Sequence, residues 1–279
     1  MEYLTVKQWK FSFLKMMLVS WLIVSVFCSS LSAQDTSYQI ITTIKSDIQY
    51  FTTDALKNVY ILDSDNILKK YNAKGELLFD YDQQNYGIPS YIDASNPLRI
   101  LVYYEEYLTV AVLDRTLTEL YIFNLKDYDI FQAQAIAAAN DNGIWLYDEW
   151  SFQLKKINEQ GTIERTSDDF SQIFSEEILP KQLIISGNRI YINSPEVGIL
   201  VFNFFGKYIQ TIPLLITSRF QIQNNQIIYF QKEKLYAYSL QSFQKKTIPI
   251  QKGVKSVEVE QQYLFLEMEG KVVVYGKKG

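Results

Sequence analysis

The side chains able to do chemistry in this chain are mostly carboxylates. It carries 31 Asp and Glu against 27 Lys and Arg, no histidine and a single cysteine. Without histidine the commonest general base and the commonest transition-metal ligand are both missing. No serine has an imidazole to activate it, so nucleophile–base chemistry has no candidate pair. What remains is oxygen chemistry. Acids cluster at Asp63-Ser64-Asp65-Asn66, Glu105-Glu106 and Asp148-Glu149, with Glu196, Glu233, Glu267 and Glu269 beyond. Converging carboxylates and carbonyls suit Ca²⁺, and Asp63 with Asp65 is the best local candidate, although no stretch has the spacing of a known calcium loop. A pair of carboxylates could also work as acid and base on a glycoside, but nothing in the sequence selects the pair.

Two other groups of residues point to binding. Lys181, Arg219 and Lys255 each open a comparable β segment and could gather a carboxylate or phosphate. Tyr86, Phe170 and Phe174 lie in the two longest connections, Asp82 to Pro89 and Ser167 to Pro180, and Trp150 in a middle-strand loop, where aromatic rings serve as protein anchors or as stacking platforms for a saccharide or fold back as local core.

These residues need a scaffold, and the sequence supplies one by repetition. Asn58 to Leu78 reads as two β-rich runs closed by Asp and Asn, then a glycine turn and a third run: a short antiparallel meander. Its second run recurs as Leu68–Asn72, Val110–Asp114, Leu154–Asn158, Ile199–Asn203, Leu235–Ser239 and Val272–Gly276, at intervals of roughly 40 residues. The strand before it recurs too, from Val59-Tyr60-Ile61 to Tyr263-Leu264-Phe265. Six meanders at that period predict an all-β, six-bladed β-propeller with four strands per blade.

Innermost strands are expected at Ile48–Thr53, Ser90–Ala94, Gln132–Ala138, Lys181–Ser186, Arg219–Gln223 and Lys255–Val259. Outermost strands are expected at Glu76–Tyr81, Thr118–Asn124, Thr162–Thr166, Lys207–Ile212 and Phe243–Ile250. A sixth outermost strand is missing after Gly276, and the alternating segment Tyr38–Ile44 stands alone at the front. The sequence therefore predicts that Tyr38–Ile44 closes the last blade, leaving no open sheet edge.

The motif Asn58-Val59-Tyr60-Ile61-Leu62-Asp63, with Leu68 to Asn72 and Gly75-Glu76-Leu77, resembles the NHL-type repeat and related six-bladed propellers of secreted bacterial proteins. Asn142 to Asp148 with Leu154 to Gly161 is a second match, while the punctuation lapses around Pro97 and Leu117. The resemblance implies a propeller that is a scaffold, a ligand binder or, less often, an enzyme. The enzyme it brings to mind is a lactonase-like hydrolase with a channel metal held by Glu, Asn and Asp. Asp54, Asp93 and Asn140 are of the right types, but the sequence does not set them at one depth.

Residues 1–33 run from lysines (Lys7, Lys10, Lys15) through an apolar stretch to Ser29, Ser30, Ser32 and Ala33, the order of a secretory signal peptide cleaved after Ala33. The propeller is then residues 34–279, and removal of the leader takes away the cysteine and deepens the net charge from −4 to −6. That balance excludes the broad basic surface of a sequence-independent nucleic-acid binder. The expectation is an exported monomer, periplasmic or secreted, with no transmembrane segment after cleavage, that binds another envelope protein or a saccharide. The alternative is a Ca²⁺-type hydrolase or lyase working in the channel.

Overall fold

The computed structural model describes residues 38–277, and the expected signal peptide lies outside them. These residues form 24 strands in six four-stranded antiparallel sheets, so the fold is an all-β, six-bladed propeller. Blade 1 holds β2 (Ile48–Thr53), β3 (Val59–Asp63), β4 (Leu68–Tyr71) and β5 (Leu77–Tyr81), from channel to rim. Blades 2 to 5 repeat the order and begin with the innermost strands β6 (Tyr91–Asp93), β10 (Ala133–Ala138), β14 (Gln182–Ser186) and β18 (Phe220–Gln223). The sixth blade runs β22 (Ser256–Glu260), β23 (Tyr263–Met268), β24 (Lys271–Lys277) and then β1 (Tyr38–Lys45).

The closure expected from the sequence is present. Strand β1 pairs with β24 from Tyr38 opposite Lys277 to Lys45 opposite Lys271, with a register shift between Ile40 and Thr42. The extra residue bends the ribbon where it must follow the rim.

Second strands are buried on both faces because each sheet is covered by the blade on either side. Every residue of β3 and of β11 (Ile144–Asp148) is buried, and such strands read as continuous apolar runs rather than as alternation. The core is accordingly shared between neighbours. Tyr60, Leu62 and Leu68 of blade 1 pack with Ile92, Ile100 and Val102 of blade 2. At the seam Ile44, Val272 and Val274 pack with Phe51, Val59 and Ile61.

The punctuation that revealed the repeat has a physical role in the third-to-fourth strand turns. In three blades Asn72, Asn158 or Asn203 accepts two backbone N–H groups through its side chain. The glycine three residues later takes a left-handed conformation, with φ of 83° at Gly75, 78° at Gly161 and 80° at Gly206. Blade 2 reaches the same turn with Asp114 as the acceptor and Leu117 at φ 61°. Leu117 is 3 % exposed and packs into the blade 1–2 core, so burial offsets the strain of a side chain there.

At the same end of blade 1, in the first-to-second strand turn, Asp54 is fully buried and accepts from Leu56 N, both nitrogens of Asn58 and the Tyr60 hydroxyl. Asp54→Ala strands those donors away from water and is expected to cost about 3 kcal/mol, against roughly 1 kcal/mol for Tyr60→Phe, by urea denaturation.

Candidate functional site: the channel and the face around its mouth

An innermost strand has a backbone edge with no fifth strand to pair with, and leaving its polar groups unpaired would be costly. Side chains from the neighbouring blade cover many of them. The Tyr50 hydroxyl donates to Ile92 O, and Ala138 N donates to Asp93. Gln182 bonds both N and O of Phe220, and Val259 N donates to Gln221. Gln223 donates to Val259 O, and Thr53 donates to Glu260. These contacts build a polar channel lining.

Arg219 enters this channel just before β18. Its guanidinium stacks on the Tyr50 ring at 4.1 Å, donates to Phe51 O across the ring at 2.8 Å and lies 3.4 Å from a Glu258 oxygen. Tyr91 meets Tyr50 edge-on at 6.3 Å. Burial alone would lower the Arg219 pKa, but Tyr50, Glu258 and Tyr91 outweigh it and raise it.

Glu258 is 5 % exposed, and burial pushes its pKa up to about 7 against the pull of Arg219. Burial pushes Glu260 up to about 7 as well, with the Thr53 hydrogen bond opposing and Asp54 adding to the rise. Both glutamates line a cavity of about 160 Å³ with Arg219, Tyr50, Tyr91 and Gln223. Sequence reading passed over this pair. The signal was Glu258-Val259-Glu260 in an innermost strand, where period-two alternation turns both acids the same way.

The other expected residues are distributed as follows. The structure does not bring all three of Lys181, Arg219 and Lys255 into one cavity, although Arg219 and Lys255 both line a small one of about 50 Å³. Lys181 lines a second cavity of about 210 Å³ at the channel mouth, while Lys255 is exposed and paired with Glu269 at 2.6 Å. Asp63 accepts from Asp65 N and Ile67 N and pairs with Lys69 at 2.7 Å, so its carboxylate closes a turn. Asp93 is held by Ser95 N and Ala138 N, and Asn140 donates to Gly187 O. Among the described residues no group of three or more carboxylate-type side chains is arranged to hold a metal ion. Tyr86 folds back and meets Tyr104 edge-on at 5.5 Å. Phe170, in a short helix α1 (Phe170–Ile173), is buried between Tyr147 and Phe202.

Trp150 does not fold back: it is 75 % exposed. It belongs to a set of exposed apolar residues on the blade-to-blade and second-to-third strand loops of one face, with Ile88, Tyr107, Phe131, Phe152 and Leu179. Tyr107 lies against Gly87 beside Ile88, and Glu149 N donates to Gln132 O, which joins the loop that carries Trp150 to the one that carries Phe131. Tyr107, Phe131, Trp150 and Phe152 thus lie on loops of blades 2 and 3 at the same end of the channel.

The fold and this polar, side-chain-crossed channel define a six-bladed propeller. It is similar in fold to streptogramin B lyase, with 10 % identity over 85 % of this chain and 98 % of that one and a TM-score of 0.59. It is similar also to the WD40 domain of Neurospora crassa Pan2, with 8 % identity over 87 % and 96 % and a TM-score of 0.55. No protein-family model and no curated protein sequence matches the chain, so the NHL-type resemblance rests on the motif residues alone. No helix among the described residues is long and apolar enough to cross a membrane.

Proposed function

We propose that the protein is an exported, non-catalytic propeller of the cell envelope that binds another envelope protein through the face around its channel mouth. The observation that carries this reading is the exposed apolar set centred on Trp150, Phe131, Phe152 and Tyr107. Large exposed rings clustered on one face mark contact surfaces, whereas singly scattered ones do not. The leading segment, read as a signal peptide, supports export. The channel lining supports a structural interior, since Tyr50, Gln182, Gln221 and Gln223 are engaged in joining blades.

A photo-crosslinking residue in place of Trp150 or Phe131, in the native host, should yield a discrete adduct. The same residue in place of Leu56 or Leu98, exposed in the loops at the other end of the channel, should yield none. Equal labelling from both ends would refute the reading, and an adduct to glycan alone would replace the protein partner by a saccharide. Trp150→Ala with Phe152→Ala should cut the adduct formed from Phe131 at least about tenfold and shift the melting temperature little, because exposed side chains contribute little to folding.

The channel supports a second reading, a hydrolase or lyase, through Glu258 and Glu260 and the shared fold of streptogramin B lyase. In its Ca²⁺-dependent form it requires millimolar Ca²⁺ to raise the melting temperature, and a Glu258→Gln, Glu260→Gln double variant to abolish that rise.

A further inference from the structure

We infer that the partner presents a basic, apolar segment to this face and places one arginine or lysine side chain in the cavity at the channel mouth. The inference rests on the reading of the face as a protein contact and adds its chemistry. That cavity, about 210 Å³, is walled by Tyr103, Glu105, Gln134 and Lys181 among others. Two hydrogen-bond acceptors here lack a donor. Gln134 belongs to the cavity wall and Glu149 is close enough to Glu105 and Lys181 of that wall to feel their charges, and the Oε1 atoms of both are buried without a hydrogen-bond partner. Burial raises the Glu149 pKa, nearby Glu105 raises it further, and Lys181 opposes them. A buried acceptor left without a donor is expensive, and a carboxylate oxygen most of all. A guanidinium or ammonium supplies several N–H groups and a charge of the right sign.

The surroundings have the same polarity. The loops of blades 2 to 4 on this face carry Glu105, Glu106, Glu149, Glu176, Glu177 and Glu196, with Lys126 and Lys181 as their cations. Lys232, Lys252 and Lys255 sit instead on the loops of blades 5 and 6. The acidic half of the face is also its aromatic half, where Tyr107, Phe131, Trp150 and Phe152 are exposed. Aromatic faces and carboxylates together favour long cationic side chains, whose methylene stems cover rings while their heads reach the acids. An acidic partner would bring like charges together.

The test uses the full mature chain with N-acetyl-arginine amide as the probe and N-acetyl-glutamate amide as its counterpart, followed by the NMR signals of the Gln134 side-chain amide and the Trp150 indole. The arginine probe should shift both signals saturably, with affinity falling at least about fivefold when Glu105→Gln and Glu149→Gln are combined, and falling again as salt is raised. Unmoved signals, or equal shifts with the glutamate probe, overturn the inference. If the double variant lowers the melting temperature, Lys181→Met decides the matter in its place: removing the competing cation should strengthen arginine binding, and weaker binding would overturn it. In the crosslinking experiment, Glu105→Lys should cut the Trp150 adduct about tenfold. An adduct that persists undiminished refutes the basic partner and leaves the contact face standing, whereas absence of any adduct from wild type refutes the contact face itself.

Discussion

A chain lacking Tyr38–Lys45 is expected to lose its single cooperative unfolding transition. In the intact chain these residues form the rim strand of blade 6 and pair with β24 along its length. Ile44 is 4 % exposed and sits in the cluster that joins blade 6 to blade 1, with Phe51, Val59, Ile61, Phe265, Val272 and Val274. Deletion therefore removes a ladder, an apolar plug and the covalent link across the ring in one step. Emptying the Ile44 site alone, as in Ile44→Ala, should cost about 3 kcal/mol. Losing the whole strand approaches the roughly 5–15 kcal/mol that holds a typical domain folded, and it exposes Val272 to Val274 beside an open edge. Trp145, fully buried, and Trp150 both belong to blade 3, far along the chain from the seam, so the tryptophan fluorescence of the mature chain and its far-ultraviolet circular dichroism report on different parts of the ring. The two signals should coincide in urea for the intact chain and separate for the truncated one. A truncated chain that melts at the intact midpoint, with coincident signals, would show that the closure contributes nothing to cooperativity.

How much of this was legible beforehand divides along a physical line. Local signals set the blades: Ile48–Thr53 was expected and found with the same bounds, and the other innermost strands fell within a residue or two of their expected ends. A turn needs its Asn or Asp and a left-handed residue wherever it occurs, so the pattern survives in the sequence. Closure was legible for a related reason, since a missing rim strand at one end matched an unassigned strand at the other. The channel was not legible, because its properties arise between blades. Arg219 reads as a strand-start cation like Lys181 and Lys255, yet only Arg219 crosses to Phe51 and Tyr50, 168 and 169 positions away. Asp63, Asp54 and Asp93 look like ligand donors until their backbone partners are known. Tyr86 and Trp150 have similar sequence surroundings and opposite fates, because Tyr104 offers one a surface and Trp150 is offered none.

Stability should fall, rather than rise, as pH is taken from 5 to 8. Glu258 and Glu260 have pKa values raised to about 7 from an ordinary 4.5, so between those values the folded protein holds protons that the unfolded chain has released. The unfolded state is favoured by each increment of pH across that window, and the effect is complete once pH passes 7. A shift of about 2.5 units corresponds to roughly 3 kcal/mol for each group taken alone, and to less than the sum for both because Glu260 helps to raise Glu258. The groups facing them are Arg219 from the loop before β18, Tyr50 and Thr53 from β2, Asp54 from the turn after β2, Gln223 from β18 and Asp93 from β6. Of these only Arg219 is a cation, and its attraction is already opposing the rise. Glu149 adds to the same slope, since its pKa is raised too. Asp63 and Asp141 act in the other direction and in a lower window. Hydrogen bonds from Lys69 to Asp63 and from Lys156 to Asp141 outweigh burial and hold both below 3.8, so their stabilisation is lost only as pH falls beneath that value. The stability optimum should consequently lie near pH 4 to 5. Combining Glu258→Gln with Glu260→Gln replaces each carboxyl by a neutral group of the same shape. It should flatten most of the slope and make the variant more stable than wild type at pH 8 by about 2 kcal/mol in urea denaturation. A wild-type profile that rises toward pH 8, or a double variant that loses stability at pH 8, would mean that Arg219 holds the pair ionised in the folded channel.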